Sequence, residues 1–246
     1  MSRLAYALPF VFLLSETVQA GPVTLYDNGP VTGVNFAWAI TDGYQVSNSF
    51  TLTSGAKLTG IQFGTQEINN STPVVNMTGI MTSVNWTIST GPAGSVGPGY
   101  TNGPSGTILA SGTASVTDKV VGIAPSYDGP TTSLNEVNFS LSNVTLGPGM
   151  YYLTLTDPIA GDSGAIGWDQ SNGLSKAYQT GAGYLNGNDI GMLVNDPSFT
   201  GLIGGSESFQ VFGTPIPEPS TVAAFAVMLL LGATVSLRRR RTWVGA

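Results

Sequence analysis

The 246-residue chain contains no histidine and no cysteine, and that removes most of the usual catalytic repertoire. A Ser-His-Asp triad needs an imidazole to carry its proton, and a cysteine nucleophile needs a thiolate. Typical zinc sites draw on both residue types. What remains is carboxylate chemistry from 14 acidic residues. Two facing carboxyls about 5–10 Å apart across a cleft would make a glycosidase pair, yet no local spacing singles one out. Asp157 and Asp162, followed by Asp169, flank a Gly-rich turn and are a candidate oxygen-ligand set for Ca²⁺. The competing reading is that these aspartates end strands and cap turns. A third candidate is Trp168, Asp169 and Gln170, a large ring followed by polar residues and a turn. An exposed indole can stack on a sugar face while the neighbouring carboxylate and amide bond its hydroxyls. The alternative for Trp168 is a core tryptophan at a strand end. No cofactor is implied.

The elements that would position these residues all have period two. Val46, Phe50 and Leu52 alternate with polar neighbours, as do Val84, Trp86 and Ile88, Val137, Phe139 and Leu141, and Phe209 and Val211. Tyr151, Leu153 and Leu155 alternate with Tyr152, Thr154 and Thr156. Such runs, closed by Gly, Pro, Asn or Asp, read as half-buried strands. Further strands are expected at 23–26, 36–40, 57–63, 107–116, 165–169 and 190–195, roughly ten or eleven in all. Residues 90–106 and 122–133 read as loops. No body segment sustains a 3.6-residue period. Gly and Pro make up roughly a fifth of the chain, below the range of about 25–30% typical of disordered sequences. The expected fold is all-β: a single antiparallel β-sandwich of jelly-roll type over residues 21–213.

The two ends have a different composition. Residues 1–20 carry Arg3, an apolar stretch at 4–14 and a small-residue Val18-Gln19-Ala20 site before Gly21, the pattern of a secretory signal peptide. All five arginines lie in the termini, so the body keeps three lysines against 12 acids, a net charge of −9. Without clustered cations it has nothing to neutralise a run of phosphates, which argues against nucleic-acid binding. At the other end, in 214–246, Pro217-Glu218-Pro219 leads into an apolar run at 222–237, and Arg238, Arg239, Arg240 and Arg241 follow directly. As a helix those 16 residues rise roughly 24 Å, close to a bilayer core of about 30 Å once flanking residues are added. The arginine block would stop translocation and keep its own side cytoplasmic.

This compound of Pro-Glu-Pro, one short span and a basic cluster resembles the PEP-CTERM sorting tail of Gram-negative, biofilm-forming bacteria. The resemblance covers only about the last thirty residues, and Thr242 to Ala246 extend past the arginines. It implies recognition by an exosortase, a membrane-embedded cysteine transpeptidase that cuts near the motif and passes the body outward. Signal peptidase and the membrane, through the C-terminal helix, are the other implied partners. Body segments such as SNSFTL, GMYYLTL, WDQSNG and SESFQVFG also resemble a body type that precedes such tails. The expectation is a secreted, non-enzymatic surface or matrix protein, anchored at first and then released to the cell surface or extracellular matrix. A carbohydrate-binding module acting on exopolysaccharide is the alternative, and a carboxylate-pair glycosidase the third.

Overall fold

Alternating apolar and polar residues produce strands throughout the body. The computed structural model describes residues 21–33, 37–68, 80–92, 106–123, 132–161, 165–181, 192–193, 206–217 and 228. The expected signal segment 1–20, Glu218, Pro219, all but one residue of the expected 222–237 span and the arginine cluster lie outside them. Among the described residues no helix is long and apolar enough to cross a membrane.

Eight strands form the larger sheet: β1 (Val23–Asp27), β2 (Ala37–Ala39), β4 (Ala56–Ile68), β7 (Thr117–Ile123), β8 (Thr132–Leu146), β10 (Ile166–Ser171), β13 (Ser206–Glu207) and β14 (Phe209–Pro215). The smaller contains β3 (Tyr44–Leu52), β5 (Met81–Ser89), β6 (Ile108–Ser115), β9 (Gly149–Ala160), β11 (Ala177–Gly181) and β12 (Met192–Leu193), in the order β12-β11-β3-β9-β5-β6. Every pairing is antiparallel. The expected strands at 57–63 and 136–142 are longer than their apolar alternation, because polar residues continue both ladders. β7 begins where the sequence showed no alternation, and its end occupies the start of the expected 122–133 loop. β14 runs through Pro215, and Ile216 N donates to Gly55 O at 2.7 Å. The strand therefore runs two residues past the expected 21–213 sandwich.

The sheets bury their facing sides together. Phe50 of β3 meets Phe209 of β14 edge to face at 6.4 Å, and Trp86 of β5 stacks on Phe139 of β8 at 6.3 Å. Both contacts cross the sandwich, as expected for aligned sheets with interdigitating side chains. Val46, Leu58, Ile61, Phe63, Val84, Ile88, Val137, Leu153, Leu155 and Val211 fill the same core. Each such side chain contributes about 1.5–3 kcal/mol by leaving water.

β4 organises the larger sheet. One side pairs with β8 over nearly its whole length. Its other side serves two strands in succession: β14 from Ala56 to Phe63, then β10 from Thr65 to Glu67. The changeover lies at Gly64, whose N–H donates to Ser208 O at 3.1 Å, while Ser208 N donates to Asp169 O at 2.8 Å. The chain thus forks around Ser208, leaving β13 to pair with the far end of β10.

Candidate functional site

After β1 the chain turns at Asp27-Asn28-Gly29-Pro30. Asp27 Oδ1 accepts a hydrogen bond from Gly29 N at 2.8 Å, and Gly29 sits at φ 97°, a region that glycine enters without strain. Residues 29–33 then cross the outer face of the larger sheet. Gly64 leaves them room: a Cβ there would lie 2.3 Å from both Val31 Cγ2 and Ser208 Oγ. Asp169 fastens the segment down. Its Oδ2 accepts Thr32 N at 2.9 Å and Gly33 N at 3.3 Å, and its Oδ1 accepts Gln66 Nε2 at 2.8 Å.

The segment forms one wall of an open groove, with β7 as the other. Pro30, Val31, Gln62, Val121, Glu136 and Gln210 line a cavity of about 270 Å³, with Gly64 among its lining residues. The registers place Gln62 opposite both Asn138 and Gln210, and Gln210 opposite Asp27. Gln210 Nε2 donates to Asp27 Oδ2 at 2.9 Å. Amides and carboxylates therefore run in a row across four strands. Lys119 lies opposite Glu136 in the β7–β8 register, so its charge has a counterpart nearby. A row of this kind offers hydrogen bonds to a neutral, hydroxyl-bearing ligand, and it lacks the clustered cations a phosphate chain needs.

The trio Trp168, Asp169 and Gln170 does not form the exposed contact that the sequence suggested. Trp168 is fully buried, edge to face with Phe63 at 5.9 Å and Phe209 at 5.6 Å, and its Nε1 donates to Ser208 O at 2.9 Å. Its ring has no free face for a sugar, so the core reading is the correct one. Asp169 points to the opposite side of β10, where it holds the groove wall, and Gln170 is buried as well. Strand geometry explains the separation, because successive side chains point to opposite faces. Asp157 sits at φ 44° beside a register shift in β9, its N–H bonded to Ile40 O at 3.0 Å. Asp162 lies outside the described residues, and among the described residues no three metal-ligating side chains cluster.

Two sets of buried polar groups lie between the sheets. Glu67 Oε1 accepts from Thr65 Oγ1 at 3.0 Å and Oε2 from Ile80 N at 3.1 Å. Asp118 accepts from Met81 N at 2.8 Å and from Asn135 Nδ2 at 2.7 Å. The Asp118 carboxylate lies near enough for its charge to act on Glu67. Burial, with the Asp118 charge second, pushes Glu67 up to about 8. The two carboxyls tie β4 and β7 of one sheet to Ile80 and to Met81, the first residue of β5, in the other. In the second set, Asn48 Nδ2 donates to Glu207 Oε2 at 3.0 Å, and Ser175 Oγ donates to Asn48 Oδ1. Asn28 Nδ2 lies 2.6–2.7 Å from Ser175 Oγ, Ser206 Oγ and Glu207 O. Glu207 is fully buried, and burial raises its carboxyl well above the usual range. Burial likewise raises Asp169, against its three donors.

None of the groove residues was singled out by sequence reasoning, because they come from five separate segments of the chain. The interior polar residues did leave a signal. Asn48 interrupts the inward row Val46, Phe50, Leu52, and Thr65 and Glu67 continue the inward row Ile61, Phe63. A polar residue at an apolar position of a strand must find a buried partner. No protein-family model matches the chain, and no curated protein matches it either.

Proposed function

We propose that this is a secreted, non-enzymatic surface or matrix protein, exported by its N-terminal signal and sorted by an exosortase at Pro217-Glu218-Pro219. The observation that carries the reading is the compound tail: Pro-Glu-Pro, a 16-residue apolar run and four arginines in the last thirty residues. The fold is consistent with it. β14 ends at Pro215, and Ile216 and Pro217 are exposed where they leave the sheet, so the motif follows the sandwich without a long linker. Pro217 and Pro219 disfavour helix at their own and the preceding positions, keeping the motif extended for a transpeptidase to grip. We read the sandwich as jelly-roll-like and the 222–237 run as a single membrane helix, with Arg238 to Arg241 on the cytoplasmic side. Among the described acids Glu67, Asp169 and Glu207 are buried and Glu136 is the one that lines the groove, which favours a scaffold over a paired-acid glycosidase.

The test is intact-mass measurement of the protein from cells and medium. In cells carrying an exosortase the released form should begin at Gly21 and end near 217–221. Replacing Pro217, Glu218 and Pro219 by alanine should leave export intact and retain the full-length form in the membrane. If the alanine triplet is processed as well as the native one, the tail is a plain single-pass anchor and the sorting proposal fails.

A second reading, exopolysaccharide binding, is favoured by the groove over β4, where Gln62, Glu136 and Gln210 converge beneath the 29–33 segment. Here the contacts are the amides of the outer face, with Asp169 as a holder of the wall. Binding to the producing cell's own polysaccharide should fall at least tenfold in Gln62→Ala/Gln210→Ala with the thermal midpoint unchanged. Undiminished binding removes the groove from consideration.

A further inference from the structure

Among the described strands β6 is an edge of the smaller sheet. It pairs with β5 on one side, and among the described residues no strand pairs with the other. Val116 N donates to Thr82 O at 3.1 Å, which marks 82 and 116 as a hydrogen-bonded pair. Counting along the register, Val84 with Ala114, Trp86 with Gly112 and Ile88 with Ala110 are hydrogen-bonded pairs as well. The alternate pairs, Asn85 with Thr113 and Thr87 with Ser111, are then of the non-hydrogen-bonded kind. The backbone N–H and C=O groups of Ser111 and Thr113 therefore point away from β5, toward the open side. Six of the eight β6 residues are exposed, with Ile108 at 51% and Leu109 at 44%.

Edges of this kind are normally blunted by charge, proline or a covering segment. Residues 107–116 contain no charged residue and no proline. β7, which follows directly in the other sheet, carries Asp118 and Lys119. We propose that the β6 edge is a self-association surface, on which β6 of a second copy adds antiparallel and joins the two six-stranded sheets edge to edge.

A second copy is the occupant the sequence fits. Pairing about Gly112 sets Ser111 against Thr113 twice, Ala110 against Ala114 twice and Ile108 against Val116. Hydroxyls meet hydroxyls at 111 and 113, alanines meet at 110 and 114, Ile108 meets Val116, Leu109 meets Ser115, and no like charges are opposed. This register also presents the outward-pointing backbone groups of Ser111 and Thr113 to one another, as a hydrogen-bonded pair requires. The interface is one strand wide, at the low end of specific contacts. It suits molecules crowded on a surface, where effective concentrations reach the millimolar range. The body's net charge of −9 opposes the approach, so association strengthens as salt screens it.

The experiment uses the full-length protein in a mild detergent, followed by sedimentation velocity from about 1 µM to about 1 mM, a range that covers weak interfaces. A monomer–dimer shift that grows with concentration and with added salt is expected, and it should be lost in S111K/T113K, which opposes lysines across the two-fold. The chain has no cysteine, so single-cysteine variants report the register in an otherwise native protein. A mixture of S111C and T113C chains should oxidise to a disulfide dimer several times faster than a mixture of either with T24C on β1. A dimer that persists in S111K/T113K would place the contact away from β6 and overturn the proposal. A chain that stays monomeric throughout, or cross-links that do not depend on position, would overturn it too. If S111K/T113K fails to fold, the cross-linking comparison still decides.

Discussion

The Glu67–Asp118 pair gives the protein a pH dependence of defined sign. Glu67 holds its proton up to about pH 8 in the fold, against an ordinary value of 4.5. The folded state therefore binds more protons than the unfolded state between those limits, and stability falls as pH rises through them. Below pH 4.5 the contribution is fully present; above about 8 it is gone. At about 1.4 kcal/mol per pH unit, the interval corresponds to about 5 kcal/mol. For a chain of this size that is roughly 10–20 °C in the thermal midpoint. Glu67→Gln has the same shape and stays neutral, so its amide can still accept from Thr65 or Ile80 and donate to Asp118. At pH 4 the variant should match the parent within about 1 kcal/mol, and at pH 9 it should be several kcal/mol more stable. Urea unfolding at pH 4, 6, 8 and 9 measures both. Asp169 and Glu207 are also raised and contribute slopes of the same sign, but these appear in both proteins and cancel in the difference. Parallel stability curves for parent and variant would refute the assignment of the raised proton affinity to Glu67.

Trp168→Ala should cost about 3–5 kcal/mol in urea unfolding, as expected for a fully buried tryptophan, whereas the loss of an exposed sugar-stacking ring would leave stability within about 0.5 kcal/mol. Asp169→Ala leaves Thr32 N and Gly33 N without their acceptor, so it should cost about 1–3 kcal/mol and speed hydrogen exchange at the Thr32 and Gly33 amides. Gly64→Ala forces a Cβ into Val31 and Ser208 at once, and a loss of about 1–3 kcal/mol is expected, with the same two amides exposed.

How much of this was legible depends on whether a property is local to one strand. The inward rows of β3, β5, β8, β9 and β14 were visible because each repeats every second residue. β7, Thr-Asp-Lys-Val-Val-Gly-Ile, was not, because Asp118 sits on its inner side and a charge there reads as surface until its partner Glu67 is known. β13 has two residues and no pattern to detect. For the candidate site, alternation within Trp168-Asp169-Gln170 already implied that the aspartate points away from the tryptophan. The motif was read as a cluster when it is a strand. The groove itself was not accessible from sequence, since Gln62, Glu136 and Gln210 become neighbours only through registers that span most of the chain.

The pairing of β1 with β14 also sets the order in which the molecule can be completed. Among the described strands β1 pairs only with β14, so it waits until β14 has been synthesised, and half of β4 waits for the same strand. Chains that depend on contacts so distant in sequence fold slowly. During synthesis from the N-terminus, apolar residues Leu58, Ile61 and Phe63 remain on an unfinished ladder until residues 209–215 emerge. A chain stopped short of residue 209 would thus present an unpaired β1 and an open β4 edge, which is a template for aggregation. Among the described strands the finished molecule and the truncated one differ by β14 alone, seven residues long.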